Sequence, residues 1–347
     1  MSNFSKTLLD WYSKNKRELP WRETKDPYRI WLSEIILQQT RIAQGLPYYE
    51  RFISQYPSIF KLAEADEQEI LRLWQGLGYY SRARNMHAAA KTVVREYQGE
   101  FPDSYDEIVK LKGIGDYTAS AIASICFGAP TAVVDGNVYR VLARNFGIDL
   151  PINSTEGIKY FKKLATEVMD ESRIADYNQA IMEFGALQCK PKSPDCPGCP
   201  LNKACIALEQ NRVAELPIKL KKGKVRIRHF NYLVFLDNKG NTRLNKRLGK
   251  GIWQHLYEFP MIETNRLLEP EEVYESLVQE NKNPKEIVLW QKDPVVHKLS
   301  HQHLVTRFLI VEMEEQFADG IPMQNVEDYP TPVLVSEFLD TFKNSYF

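Results

Sequence analysis

Four of the chain's five cysteines lie within seventeen residues, and no other sequence feature constrains the fold as strongly. Cys189, Cys196, Cys199 and Cys205 follow the spacing C-x6-C-x2-C-x5-C. Short proline-rich segments between them would bring four thiolates together, as a structural zinc site or an iron–sulfur cluster requires. Two disulfides are a weaker alternative, because disulfides persist in oxidising compartments and the sequence opens without an apolar signal segment. The pattern predicts a metal site and leaves zinc and iron–sulfur open.

The chain is long enough for two domains, each with its own hydrophobic core. It has 347 residues, 44% of them hydrophobic, and no run approaches the roughly 20 apolar residues of a membrane helix. Helical segments separated by Gly or Pro predict an all-α domain over residues 1–210, with the cysteine loop at 189–205. Alternating, β-rich segments predict an α+β domain over 227–347, joined by a basic linker at 211–226. We expect a soluble, cytoplasmic protein.

The net charge is zero, but positive charge is locally concentrated. Between Leu216 and Arg228 the sequence carries six Lys or Arg and no acid, and a second acid-free stretch runs from Lys239 to Lys250. Such strips suit phosphate binding, although a solvated, lysine-rich linker would have the same composition. Nucleic acid is therefore a candidate partner.

A Gly-x-Gly turn separates two predicted helices. The stretch L-K-G-I-G-D-Y-T-A has its glycines at Gly113 and Gly115. Glycine permits turn conformations closed to other residues, and uncovered N–H groups at the start of the next helix can bind phosphate. A plain tight turn between helices is the alternative. In this setting the motif resembles the helix-hairpin-helix element with which a family of DNA glycosylases holds the DNA backbone.

Twenty residues after Gly115, the string V-V-D-G-N-V-Y-R places Asp135 before a predicted helix. An aspartate there is a common N-cap, and an N-cap carboxylate can also face a cavity. The hairpin and the aspartate together resemble the helix-hairpin-helix superfamily, in which this aspartate is catalytic. Members of its iron–sulfur branch also carry the C-x6-C-x2-C-x5-C spacing. The resemblance therefore implies one [4Fe-4S] cluster on the four cysteines in preference to zinc.

Tyr117 and Glu34 distinguish the branches of this superfamily. Members resembling endonuclease III have, two residues after the second hairpin glycine, a lysine that attacks the sugar as a Schiff-base nucleophile. Here that residue is Tyr117, which cannot form a Schiff base. Glu34 lies in W-L-S-E-I-I-L-Q-Q-T-R, which resembles the signature of the MutY-type adenine glycosylases, although an exposed helical glutamate fits the periodicity as well. The resemblance implies removal of adenine mispaired with 8-oxoguanine or guanine, with Glu34 as the acid/base.

The resemblance extends over most of the chain and implies further site residues. The strings L-P-W-R and G-L-G-Y-Y-S-R-A-R-N match the family, and a W-E-F-P-like stretch has Tyr257 in place of Trp. That stretch belongs to a MutT/Nudix-like domain that reads 8-oxoguanine, but the pattern G-x5-E-x7-R-E-x2-E-E is absent from the sequence, so no nucleotide hydrolysis is expected. The implied adenine-binding residues are Trp21, Arg22 and Glu183. The implied contacts to DNA or 8-oxoguanine are Gln39, Tyr79, Gly113, Gly115, Ser300 and His301.

The implied mechanism is hydrolysis of the N-glycosidic bond after adenine leaves the helix stack. Glu34 would protonate N7 and ionised Asp135 would stabilise the oxocarbenium-like sugar, while Tyr117 and Asn137 orient the two carboxyls. The expected partner is duplex DNA with 8-oxoguanine·adenine or guanine·adenine pairs, bound by a monomer at the bacterial nucleoid. The alternatives are a glycosylase with lyase activity on oxidised pyrimidines and a non-catalytic DNA-damage sensor. Tyr117 argues against the first, and the presence of both carboxyls argues against the second.

Overall fold

The computed structural model describes residues 3–221 and 225–346, which fall into two compact units. The two units are Met1–Glu64 with Asn85–Lys222, and Ala65–Arg84 with Gly223–Phe347. Lys222 and Lys224, which belong to the basic linker expected from the sequence, lie outside the described residues. Within the described ranges, no helix has the length and apolar character needed to cross a membrane.

Helices build most of the first unit. The α-helices of the chain are α1 (Asn3–Asn15), α2 (Pro27–Leu37), α3 (Ile42–Gln55), α4 (Ile59–Glu64), α5 (Glu67–Leu73), α6 (Ser81–Tyr97), α7 (Tyr105–Ile108), α8 (Asp116–Phe127), α9 (Gly136–Phe146), α10 (Thr155–Val168), α11 (Ile174–Leu187), α12 (Ile206–Glu209), α13 (Pro270–Gln279) and α14 (Val333–Tyr346). The Ala-, Arg- and Lys-rich stretch that begins at Ser81 and stops before Gly99 forms α6, as its composition and terminal glycine predict.

Helix α8 is the centre of the first unit. Its residues from Thr118 to Ile125 are all buried, so the helix is enclosed on every side. The small side chains of Ala119, Ala121 and Ala123 allow neighbouring helices to approach α8 closely, and both α2 and α11 pack against it. Helix α9 packs in turn against α11. Residues on these four helices can therefore share one site.

A five-stranded sheet is the centre of the second unit. The strands of the chain are β1 (Arg226–Leu236), β2 (Asn241–Thr242), β3 (Asn245–Lys246), β4 (Tyr257–Glu258), β5 (Met261–Thr264), β6 (Pro284–Leu289), β7 (Val295–Lys298), β8 (Gln302–Met313) and β9 (Ile321–Pro322). The sheet order is β5-β1-β8-β6, and β7 also pairs with β8. Strands β1 and β8 are parallel, whereas the other pairs in this sheet are antiparallel.

Helices α13 and α14 cover opposite faces of this sheet. On one face, Leu277 of α13 belongs to an apolar cluster with Leu309 of β8. On the other, the ring of Phe338 in α14 stacks on Phe308, with 4.1 Å between ring centroids. Phe308 and Leu309 are consecutive in β8, so their side chains point to opposite faces. The α+β second unit and the mainly α first unit confirm the fold class expected from the sequence.

Candidate active site

Glu34 lies on α2, where most of its neighbours are buried. Part of the Glu34 residue is accessible to solvent, but its carboxyl group is buried. Burial raises the pKa of Glu34 to about 7; the charge of Asp135 adds to the rise, whereas a hydrogen bond with Tyr117 and the charge of Arg22 oppose it. A carboxyl with this pKa is about half protonated at neutral pH and can therefore donate a proton.

Asp135 is the N-cap of α9, as the sequence predicts. Its Oδ1 accepts hydrogen bonds from the backbone N–H groups of Asn137 and Val138, both at 2.8 Å, and its Oδ2 accepts one from Asn137 Nδ2, also at 2.8 Å. Burial raises the pKa of Asp135, while these donors and Arg140 act in the opposite direction. The two carboxyls therefore differ in their surroundings: three donors and a helix N-terminus favour the ionised form of Asp135.

Tyr117 stands in the first turn of α8, close to both carboxyls. Burial raises its pKa, and the negative charges of Glu34 and Asp135 raise it further, so its hydroxyl stays protonated. The hydroxyl interacts with Glu34 and lies 3.2 Å from the sulfur of Met182. The structure thus brings Glu34, Tyr117, Asp135 and Asn137 together.

Arg140, which sequence reasoning missed, joins Asp135 to the cysteine loop. Its guanidinium donates to Asn137 Oδ1 at 2.8 Å and to the carbonyl oxygens of Gly185 and Cys189 at 2.6 and 2.7 Å. Because Asn137 also donates to Asp135, hydrogen bonds run without a break from the backbone of a predicted cluster ligand to the carboxylate. Gly185 permits this contact, since a Cβ there would lie 2.6 Å from Asn137 Cβ.

The extended segment before Asp135 is held by polar side chains from distant helices. Asn178 on α11 accepts from Val133 N at 3.2 Å and donates to Thr131 O at 2.9 Å, as a neighbouring strand would. Lys162 on α10 donates to Ala132 O at 2.8 Å. Neither residue carries a local sequence signal for this role, because each partner lies about thirty or more residues away in the chain.

Glu183 is fully buried on α11 and is held by two arginines. Arg22 donates to both carboxylate oxygens, at 3.0 and 2.8 Å, and Arg17 does so at 2.8 and 2.6 Å. Burial alone would raise the pKa of Glu183, but the hydrogen bonds from Arg17 and Arg22 outweigh it and lower the pKa to about 2. Arg22 and Glu183 are therefore in direct contact, and Arg17 is a third residue of this ion-pair cluster that sequence reasoning did not find. Trp21, which precedes Arg22, packs edge-on against Tyr49, at 5.1 Å between ring centroids.

The two hairpin glycines have different reasons to be glycine. Gly113 has a φ of +83°, and a Cβ there would meet Asn85 Cβ at 2.7 Å. Gly115 is the N-cap of α8 with a φ of −101°, and no atom lies within 4 Å of an added Cβ. The first glycine is required by the turn, whereas the second leaves open space over the start of α8.

Gln39 and Tyr79 share an unusual backbone conformation. Their φ values are +56° and +47°, in the left-handed region that non-glycine residues rarely adopt. Such strain persists where surrounding structure enforces it and is common at functional sites. Gln39 belongs to the first unit, and Tyr79, which is 49% exposed, belongs to the second.

Ser300 and His301 lie on an exposed turn between β7 and β8. They line an open cavity of about 1180 Å³ together with Tyr79, all within the second unit. The Ser300 hydroxyl lies 3.3 Å from His301 Nδ1. The structure thus brings together three of the residues predicted to contact 8-oxoguanine.

The four clustered cysteines line one small cavity in the first unit. The pKa of the Cys199 thiol is raised to about 11, mainly by burial and also by the sulfurs of Cys189, Cys196 and Cys205, while a backbone hydrogen bond at Leu201 opposes the rise. Arg144 Nη1 lies 3.5 Å from Cys189 Sγ and donates to Lys190 O at 2.7 Å. Within the described residues, no three His, Cys, Asp or Glu side chains are grouped as a bound metal ion requires.

Two parts of the chain each match a known protein family. The HhH-GPD superfamily of base excision DNA repair proteins matches residues 32–179, and the NUDIX domain matches residues 231–341. The adenine DNA glycosylase of Buchnera aphidicola (subspecies Schizaphis graminum) is 33% identical over 352 residues, covering 98% of this chain and 99% of the relative. The chain belongs to the MutY-type adenine DNA glycosylase family.

A further relative agrees with this assignment, and two solved structures share the fold of the helical part. The human adenine DNA glycosylase is 42% identical over 216 residues, which cover 60% of this chain and 40% of that protein. A thermostable thymine-DNA glycosylase has a TM-score of 0.56 and 31% identity over 60% of this chain and 95% of its own. A trapped endonuclease III–DNA covalent intermediate has a TM-score of 0.53 at 23% identity, with 60% and 94% covered, which shows the shared fold of the helical part.

The hairpin glycines provide a matched pair of variants. Gly115→Ala should weaken binding to duplex DNA about tenfold with little change in thermal stability, because its methyl group enters only the space over the α8 N-terminus. Gly113→Ala should lower stability by about 1–3 kcal/mol, because it combines a positive φ with a clash. Fluorescence anisotropy and thermal melting measure the two effects. Unchanged DNA affinity in Gly115→Ala would contradict the phosphate-binding role of this turn.

Arg140→Gln should slow base release about tenfold or more at saturating enzyme, because it removes charge-assisted hydrogen bonds that orient Asn137 and Asp135. Arg95→Gln, which removes an exposed arginine paired with Glu96, is the control and should leave the rate unchanged. Single-turnover kinetics measure the rate, and melting reports the folded fraction. A rate loss no larger than the loss of folded protein would assign Arg140 to stability alone.

Proposed function

We propose that this chain hydrolyses the N-glycosidic bond of adenine paired with 8-oxoguanine or guanine in duplex DNA, and that it lacks lyase activity. The observation that carries the proposal is the pair of carboxyls on α2 and α9. Glu34 has a pKa near neutrality, and Asp135 is surrounded by donors that favour its ionised form. The full-length similarity to an adenine DNA glycosylase supports adenine as the leaving base.

Adenine must leave the helix stack before Glu34 can reach it, because the reacting atoms are covered in a duplex. Gln39 and Tyr79 occupy or distort the vacated stack, as the resemblance to the family implies, and the exposed ring of Tyr79 is accessible for this role. The hairpin at Gly113 and Gly115 holds the backbone through the N-terminus of α8. Trp21, Arg22 and Glu183 bind the extruded base.

Bond cleavage then divides the work between the two carboxyls. Adenine is a poor leaving group as an anion, so Glu34 protonates its N7 as general acid. The C1′–N9 bond breaks, and the positive charge that develops on the sugar is stabilised by the Asp135 carboxylate. Water completes the hydrolysis and leaves an abasic site. Tyr117 cannot form a Schiff base, which supports a reaction without strand cleavage.

We assign one [4Fe-4S] cluster to Cys189, Cys196, Cys199 and Cys205. No three of these thiols, which all lie within the described residues, are grouped as a single metal ion requires, but their common cavity and the closeness of Arg144 to Cys189 Sγ support a fit to the larger cluster. When bound, the cluster keeps the thiols deprotonated and cross-links the loop, with no part in bond cleavage. Lys190, Lys192 and Lys203 on this loop can then face DNA phosphates.

The test is single-turnover adenine release from a duplex with one 8-oxoguanine·adenine pair. We expect free adenine and strand cleavage only after hot alkali. Glu34→Gln should slow release about 100-fold or more while retaining DNA binding, because it removes the proton donor but keeps the shape. Glu50→Gln, an exposed glutamate on α3, is the matched control.

Two outcomes would contradict the proposal. Cleavage without alkali, with an imine trapped by borohydride, would place the protein among the lyases. Tight binding without adenine release in the wild type would identify a damage sensor.

A further inference from the structure

The cavity that contains Ser300 and His301 is positively charged. Its basic lining residues are Arg84, Arg226, Arg228 and Lys250, and no Asp or Glu is among its lining residues. A concave surface with one sign of charge attracts the opposite charge more strongly than scattered surface groups do. The chemistry of this cavity therefore favours an anionic ligand.

Two of the four cations are already engaged. Arg228 forms two hydrogen bonds with the Glu263 carboxylate, at 2.7 and 2.6 Å. Arg84 donates to the backbone oxygen of Gln254 at 2.6 Å. These two arginines hold the walls of the cavity in place, and their charges are partly satisfied within the protein.

Lys250 and Arg226 are different, because their side chains are exposed. The pKa of Glu263 is lowered mainly by its hydrogen bonds with Arg228, and the charge of Arg226 adds to this effect. Across residues 3–221 and 225–346, neither side chain makes a hydrogen bond or ion pair. The Arg226 backbone N–H donates to His301 O at 3.2 Å, so this cation is attached directly to the turn that carries Ser300 and His301. Lys250 precedes Gly251 and the buried Trp253, which line the same cavity.

We propose that Lys250 and Arg226 bind backbone phosphates of the DNA strand that carries 8-oxoguanine, on either side of that nucleotide. The inference rests on the proposed function, because it takes Ser300 and His301 as the residues that contact the 8-oxoguanine base. A base that reaches these residues brings its own flanking phosphates to the rim of the cavity. The two unpaired cations are the groups at that rim free to neutralise them.

This arrangement gives the second unit a strand preference. Phosphate contacts carry no base sequence information, but they set the register and orientation of a protein on its duplex. Contacts made only to the 8-oxoguanine strand hold that strand against the second unit. The opposite strand, which carries the adenine, makes none of these contacts.

The test is a double-mutant cycle between protein cations and DNA phosphates, read as equilibrium binding. The duplex contains 8-oxoguanine opposite 2′-fluoro-2′-deoxyadenosine, a non-cleavable adenosine, and single phosphates are replaced by neutral methylphosphonates. For the wild type, neutralising a phosphate next to 8-oxoguanine should weaken binding about fivefold, and neutralising one next to the adenine analogue is the strand control. Affinity is measured by fluorescence anisotropy over a range of salt concentrations.

One of the two flanking methylphosphonates should cause little further loss in Lys250→Gln and the other should cause little further loss in Arg226→Gln, because in each case the contact is already absent. Each variant should also reduce the slope of log affinity against log salt by about 1. Lys285→Gln, which changes an exposed lysine on β6 of the same unit, is the matched control and should behave as wild type. All three positions are exposed, so folding should not be affected.

The proposal is wrong if the affinity losses caused by the protein variants and by the methylphosphonates are additive. It is also wrong if the variants are coupled to phosphates of the adenine strand, or if a methylphosphonate next to 8-oxoguanine does not weaken binding of the wild type. Adenine release from the cleavable duplex is measured separately with the wild type. If the two cations are coupled to the phosphates of the 8-oxoguanine strand but the wild type releases no adenine, the proposed function is wrong and the phosphate contacts stand. If the wild type releases adenine normally and this coupling is absent, the phosphate contacts are wrong and the proposed function stands.

Discussion

The burial of the Glu34 carboxyl is the constraint on which the rest of the site depends. Raising its pKa from 4.5 to about 7 makes ionisation in the folded state cost on the order of 3 kcal/mol. Because the folded-state pKa lies above the unfolded one, stability falls as pH rises through this window and the group ionises. Burial of Glu34 therefore lowers stability where the group is ionised, but it also keeps a carboxylic acid partly protonated near neutral pH. Asp135, close enough to raise that pKa further, is surrounded by donors that favour its ionised form.

The proposed roles of Glu34 as acid and Asp135 as anion require accurate placement of both carboxyls, and a network of polar side chains provides it. Asn178 and Lys162 fix the backbone that leads to Asp135, and Asn137 and Arg140 fix its carboxylate. Arg140 also bonds to the backbone at Cys189, so the order of the cysteine loop and the orientation of the carboxylate are coupled. This coupling gives the cysteine loop a structural influence on the proposed reaction.

Local sequence signals predicted much of this architecture, for identifiable reasons. The N-cap role of Asp135 and the bounds of α6 depend on neighbours within a few residues, so the sequence alone contains the information. The pairing of Arg17 with Glu183 joins residues 166 apart, and it becomes visible only when α11 packs in the core. The inclusion of Ala65–Arg84 in the second compact unit is equally non-local, since those residues carry ordinary helical patterns.

The most direct test of the account is the pH dependence of single-turnover adenine release by the wild-type enzyme. In the proposed mechanism the protonated form of Glu34 is the acid, so the rate should be high below its pKa and fall about tenfold per pH unit above about 7. At low pH a second decline should follow as Asp135 becomes protonated. The descending limb above pH 7 should disappear in Glu34→Gln, whose residual rate does not depend on this proton. A wild-type rate that is flat or rises between pH 6 and 9 would contradict the central claim.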